Sequence, residues 1–204
     1  MRILSKVLSV ILHPVFMPMA GVFLVFNSGT AATLTTMEYQ RSIYIIVFIC
    51  TVLLPMSIIP FFVFRKPVKN LPADTPRERL APLLITFLFY YICYFLISRL
   101  TVPQLLEGFL LAIAVTVFLV LVITFFWKIS IHTTGIGGIA GIIFFISERY
   151  RADMLVPLML VIIAAGIVAC ARLQLQSHKP SQVYAGFGLG AFTVGLTMYF
   201  FFAL

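Results

Sequence analysis

Residues 154–182 read MLVPLMLVIIAAGIVACARLQLQSHKPSQ: an uninterrupted apolar run, then a polar break holding Arg172, His178 and Lys179. A helix rises about 1.5 Å per residue, so roughly 20 apolar residues cross a hydrocarbon core of about 30 Å. The same rule applied outward gives seven spans, at about Val7–Asn27, Ile43–Phe64, Ala81–Ser98, Gly108–Trp127, His132–Ser147, Met154–Ala171 and Val183–Leu204. The runs are long and do not alternate, which predicts helices and excludes barrel strands. The fifth is short and glycine-rich and carries the weakest pattern.

Composition leads to the same class. Of 204 residues, 62% are hydrophobic and only 10% charged, far from the soluble balance of about a quarter charged. We expect an all-α integral membrane protein, a polytopic bundle of about seven helices, with residues 1–204 forming one membrane domain. The first run could be mistaken for a signal peptide, but its length and the mid-run His13-Pro14 favour a helix kinked at the proline. The net charge of +8 comes from cations in short breaks between spans, a pattern that fits anionic lipid head groups and excludes a nucleic-acid face. Cys50, Cys93 and Cys170 lie inside apolar runs with no paired spacing, so neither a disulfide framework nor a zinc site is predicted and they read as small core residues.

Seven spans sort the breaks between two membrane faces. The amino terminus and the breaks after spans two, four and six share one face, which gathers Arg77, Arg79, Lys128, Ser130, His132, Arg172 and His178. Ionisable groups at the edge of a bilayer are expensive, and their convergence marks a candidate site. Arginine presents a fork of donors matched to phosphate oxygens, and histidine can attack, donate or accept a proton near neutrality. Two histidines and several cations therefore suit phosphoryl chemistry, one imidazole as nucleophile and the other as acid for the leaving oxygen. No carboxylate-rich metal cage is visible in the sequence.

The arrangement resembles the type-2 phosphatidic acid phosphatase superfamily. Its third motif is Ser-Arg, five residues, His, three residues, Asp; here Ala171-Arg172 is followed by five residues, His178, three residues and Gln182. Its second motif, Pro-Ser-Gly-His, is similar to Ile129-Ser130-Ile131-His132. The first, a Lys, six residues and Arg-Pro, is echoed only by Arg77-Glu78-Arg79-Leu80-Ala81-Pro82. The resemblance implies a phosphatase-like helical core, no metal or cofactor, and a phosphorylated membrane lipid as substrate, of the phosphatidic acid, phosphatidylglycerol phosphate or polyprenyl diphosphate type. It implies His178 as nucleophile, His132 as leaving-group acid, and Arg172, Ser130 and Arg79 as phosphate ligands, with Arg77 and Lys128 as further candidates. Gln182 stands where the family has the Asp that orients the nucleophile; an amide can hold the ring but cannot offset its charge. Asp74 or Glu78 could supply a carboxylate instead.

Blander readings stand beside these. Arg172, Lys179 and Lys128 each suit a boundary anchor, and His178 and His132 suit helix caps or interhelical hydrogen bonds. His13, inside an apolar span, reads as a structural hydrogen-bonding group that reaches the site only if it lies near the site face. Gly137 with Gly141 and Gly186 with Gly190 are spaced for close helix approach, which would draw together the helices that follow the two histidine motifs. The site face holds ten Lys and Arg and the other four, favouring a cytoplasmic side, yet without Arg77, Arg79, Lys128, Arg172 and Lys179 the count is five to four. A bacterial inner membrane is the expected location, with the side open. Two other functions remain: a noncatalytic lipid-binding or partner-binding relative, favoured by Gln182, and a small transporter using broken helices.

Overall fold

The computed structural model describes residues 2–58 and 79–203, which are 84% helical and include no strand. Seven segments are long and apolar enough to cross a membrane, in the order read from the sequence. This is an integral membrane protein of the helical-bundle type. Lipid offers no partner to backbone polar groups, and a helix satisfies them within itself.

The first span, Ser5–Phe26, is two helices, α1 (Arg2–Ile11) and α2 (Met17–Phe26), separated by a break at Leu12-His13 and one 3-10 turn, Pro14–Phe16. The second, Met37–Ile58, contains α3 (Met37–Phe48) and a π turn over Ile49–Leu53. Then follow α4 (Leu80–Ile97), α5 (Gln104–Thr124), α6 (Ile131–Tyr150), α7 (Leu155–Gln174) and α8 (Pro180–Ala203). Residues 59–78, including Arg77, Asp74 and Glu78, lie outside the described residues.

The fifth span, weakest in the sequence, is the most buried of the seven. Its low hydropathy and its central position have one cause: α6 packs on α8 at a distance only glycine permits. A Cβ on Gly137 would stand 2.1 Å from the Phe187 carbonyl oxygen, and one on Gly190 would stand 2.0 Å from that of Thr134. Gly141 meets the Ala191 carbonyl oxygen in the same way, and Gly186 meets the Thr133 hydroxyl and the Ser130 carbonyl oxygen. The contact is reciprocal, each helix placing its glycines against the other's backbone, and dispersion between close backbones replaces the hydrophobic drive that lipid removes.

Around this pair the core is filled by Phe26, Phe109, Leu106, Ile142, Ile143 and Met198, all essentially without exposure. The outer face of α7 instead exposes Leu155, Val156, Met159, Leu160 and Ile163, as a helix against lipid should. Cys50 and Cys93 are buried as expected; Cys170 is exposed, because it falls on that outer face of α7 and not in the core.

Gly137→Ala and Gly190→Ala are each expected to cost about 1–3 kcal/mol through overpacking against backbone that has nowhere to move. Gly188→Ala and Gly195→Ala, where nothing lies within 4 Å of the added Cβ, should leave thermal unfolding in detergent unchanged.

Candidate functional site

Because α6 and α8 are locked together near their starts, the two histidine motifs at those starts are locked together as well. The Ser130 N–H donates to the Gln182 carbonyl at 3.2 Å, a main-chain bond joining one motif to the other. Arg172 lies in the last turn of α7, and its carbonyl accepts from the Ser177 N–H at 3.2 Å, closing the turn that delivers His178 to the foot of α8.

His178 is buried, and its Nδ1 lies 3.3 Å from Gln182 Oε1. The same oxygen accepts from the Lys179 N–H at 3.0 Å. Two donors converging on one amide atom require it to be the oxygen, so Nδ1 carries the ring proton and Nε2 keeps its lone pair. The amide thus orients the ring as the sequence led us to expect, but brings no charge. Burial lowers the His178 pKa to about 4, and the positive charges of Arg172, Arg79 and Lys128 add to it, against the partial opposing effect of Gln182. His178 is therefore neutral at pH 7.

His132, half-buried at the start of α6, places Nε2 3.2 Å from the Ser9 carbonyl oxygen. A carbonyl only accepts, so Nε2 is protonated and Nδ1 is the atom left for other chemistry. Its ring meets that of His13 edge to face, with centroids 5.2 Å apart and planes at 79°. Arg172 is within electrostatic reach of His13, His132 and His178 together. Arg79 lies close enough to act on both Arg172 and His178, and Lys128 on His178. Arg79 thus reaches the cluster although two helices separate it from His132 in the chain.

Among the described residues, the buried side-chain polar atoms without a hydrogen-bond partner are Ser9 Oγ, Ser130 Oγ and Arg172 Nε. All three belong to this cluster. Ser130 is fully buried, with its carbonyl taken by the Thr133 and Thr134 hydroxyls and its N–H by Gln182, so only the hydroxyl is left over. An unmade bond at a buried polar atom costs about 1–3 kcal/mol, and three in one cluster make it the candidate site among the described residues.

Thus Ser130, His132, Arg172, His178 and Gln182 come together, with Arg79 and Lys128 beside them, whereas Arg77 is not described. One member, Ser9, drew no notice in the sequence, and His13 lies beside His132, the setting in which the sequence reading allowed it to reach the site. The signal was a polar stripe at four-residue spacing, Ser5, Ser9 and His13, on one face of an apolar helix whose other side exposes Ile3, Val7 and Val10. Ser5, too, faces inward, bonding Gln174 at the end of α7.

Fold and site define a polytopic membrane protein with imidazole, guanidinium and hydroxyl groups gathered at one end of its bundle. Residues 124–204 match the model of the PAP2 superfamily, whose members generally hydrolyse phosphoesters, and this bears out the resemblance read from the motifs. The matched segment holds Ser130, His132, Arg172, His178 and Gln182, but not Arg77 or Arg79. No curated protein and no solved structure matches the chain.

The His178 value lies below the ordinary imidazole value of 6.5, so the unfolded chain binds the extra proton first as pH falls. The stability this residue contributes is complete above about pH 6.5 and is lost progressively towards pH 4. His178→Asn should therefore show a shallower fall in melting temperature than the unmodified protein across that window.

Proposed function

We propose that this protein is a lipid phosphatase that removes a phosphoryl group from a membrane lipid through a phosphohistidine on His178. The observation that carries the reading is a cluster in which three buried polar atoms, Ser9 Oγ, Ser130 Oγ and Arg172 Nε, have no partner, beside a histidine whose Nε2 lone pair is freed by the bond at Nδ1. Arg172, with the Ser130 and Ser9 hydroxyls, would hold the non-bridging oxygens, and Arg79 and Lys128 would add positive potential.

In the first half-reaction, His178 Nε2 attacks phosphorus and the bond to the lipid oxygen breaks, its electron pair leaving with that oxygen. His132, to which the bound phosphate monoanion first passes its proton at Nδ1, the nitrogen not engaged by Ser9, delivers that proton to it. In the second, His132 takes a proton from water as the water oxygen attacks phosphorus, and the N–P bond electrons return to Nε2. Phosphate departs with the proton from His132 Nδ1, and both imidazoles regain their neutral starting state. The apolar outer faces of the helices let a substrate remain in the bilayer while its head group reaches the cluster.

Gln182 supports a second reading, a relative that binds phosphorylated lipid without turning it over. A family Asp at this position would stabilise the imidazolium and phosphohistidine states; in serine hydrolases, exchanging the orienting Asp for an amide costs about 10⁴ in turnover. One experiment separates the readings. Purified protein should release phosphate from at least one of phosphatidic acid, phosphatidylglycerol phosphate and a polyprenyl diphosphate, with His178→Ala and His132→Ala each reducing release by at least about 10²-fold. Labelled phosphate trapped on His178 would identify the intermediate; binding of these lipids with no release would favour the second reading.

Gln182→Asp is expected to raise turnover and to move the acid limb of kcat/KM to higher pH, because a carboxylate at Nδ1 favours the protonated ring. A pH–rate profile of the two proteins checks both.

A further inference from the structure

The first span lies outside the segment that matches the superfamily, yet it meets His132 from two sides. Its part begins with Pro14. Lacking an N–H, Pro14 cannot donate to the Val10 carbonyl four residues back, and the His13 N–H turns to that carbonyl instead, at 3.3 Å. His13 would otherwise have served Ser9, and the Leu12 N–H is already committed to Leu8 at 2.9 Å. The Ser9 carbonyl is thus left without a donor from its own helix, and His132 Nε2 supplies one.

His13 is held in its turn. It caps the 3-10 turn, with Nδ1 accepting from the Val15 N–H at 3.3 Å. That fixes the ring that packs edge to face on His132. A further tie between the first span and the site is the Ser5 bond to Gln174 at the end of α7. His132 is therefore gripped at Nε2 by a backbone carbonyl and on its ring by a second, anchored imidazole, and Nδ1 is the nitrogen that neither holds.

We propose that the first span forms the leaving-group wall of the active site, with His13 and the Ser9 carbonyl freed by Pro14 as positioning groups that aim His132 Nδ1 at the departing lipid oxygen. This rests on the phosphatase reading above and extends the site to a helix that carries none of the recognised motifs. Neither positioning group needs to touch the substrate. They fix the tautomer and the ring plane of the residue that does, and a misplaced acid costs most where the leaving oxygen most needs a proton.

The test compares two esters cleaved by the same purified protein: a long-chain alkyl phosphate, whose alkoxide cannot leave unprotonated, and nitrophenyl phosphate, whose phenolate can. His13→Ala should lower kcat on the alkyl ester by about 10- to 100-fold while changing nitrophenyl phosphate by less than about 3-fold, a selective loss of acid catalysis. His13→Phe, which keeps a ring against His132, should recover most of the alkyl activity. Pro14→Ala, which returns an N–H to Val10 and so restores Ser9 to helical bonding, should reproduce the selective loss without touching either ring. Equal losses on both esters, or no loss on either, with unchanged melting temperatures, would overturn the positioning role while leaving the phosphatase reading intact. Absence of release from both esters and from the lipid panel by the unmodified protein would overturn both.

Discussion

The close contact of α6 with α8 is the constraint on which the site depends. Lipid gives helices little reason to associate, so the bundle must find its specificity in surfaces that fit. Here the fit is backbone against backbone, with glycines of each helix against carbonyls of the other. The payoff is positional. Each helix starts at a histidine motif, and fixing their mutual height also fixes Ser130 and His132 relative to His178 and Gln182. Side chains larger than hydrogen at these contacts would shift the helices apart and the motifs with them.

Much of this was legible in the sequence, for reasons that can be stated residue by residue. The spans were legible because bilayer thickness imposes a length, and the grouping of Arg172, His178 and Ser130 on one face followed from the two spans that separate their breaks. The glycine pairs were legible because their four-residue spacing has few other uses in an apolar helix. The fifth span was faint for the same reason that it is central: glycine lowers hydropathy while permitting burial. Arg79 was hard to place because helix order says which face a residue is on, but not which neighbours it meets there. Ser9 and His13 were obscured by their setting. In an apolar run, a serine and a proline-adjacent histidine look like tolerated exceptions, and only the three-dimensional fold reveals that their stripe faces the site.

The electrostatic character of the cluster is one-sided. Arg172 and His178 sit with Arg79 and Lys128 nearby, and the side chain that holds the His178 ring is neutral. Of the six acidic residues, Glu38, Glu107, Glu148 and Asp153 belong to spans or loops at the opposite end, and Asp74 and Glu78 fall among residues not described. An anion entering such a place is matched at once by several donors in a medium where charge is poorly screened. It would also supply the negative charge against which either imidazole can become an imidazolium. The neutral resting state of His178 is thus compatible with a cycle in which protonated rings occur only while phosphate is bound.

Gln182 illustrates how such a site can change without being dismantled. Its main-chain oxygen ties the foot of α8 to the head of α6, and its side-chain oxygen steadies the imidazole. The first duty belongs to every amino acid and the second only to those ending in an acceptor. Scaffold and chemistry are therefore inherited separately at this position: the frame survives any replacement that keeps the backbone in place, and the reactivity of the ring can drift, weaken or recover upon it.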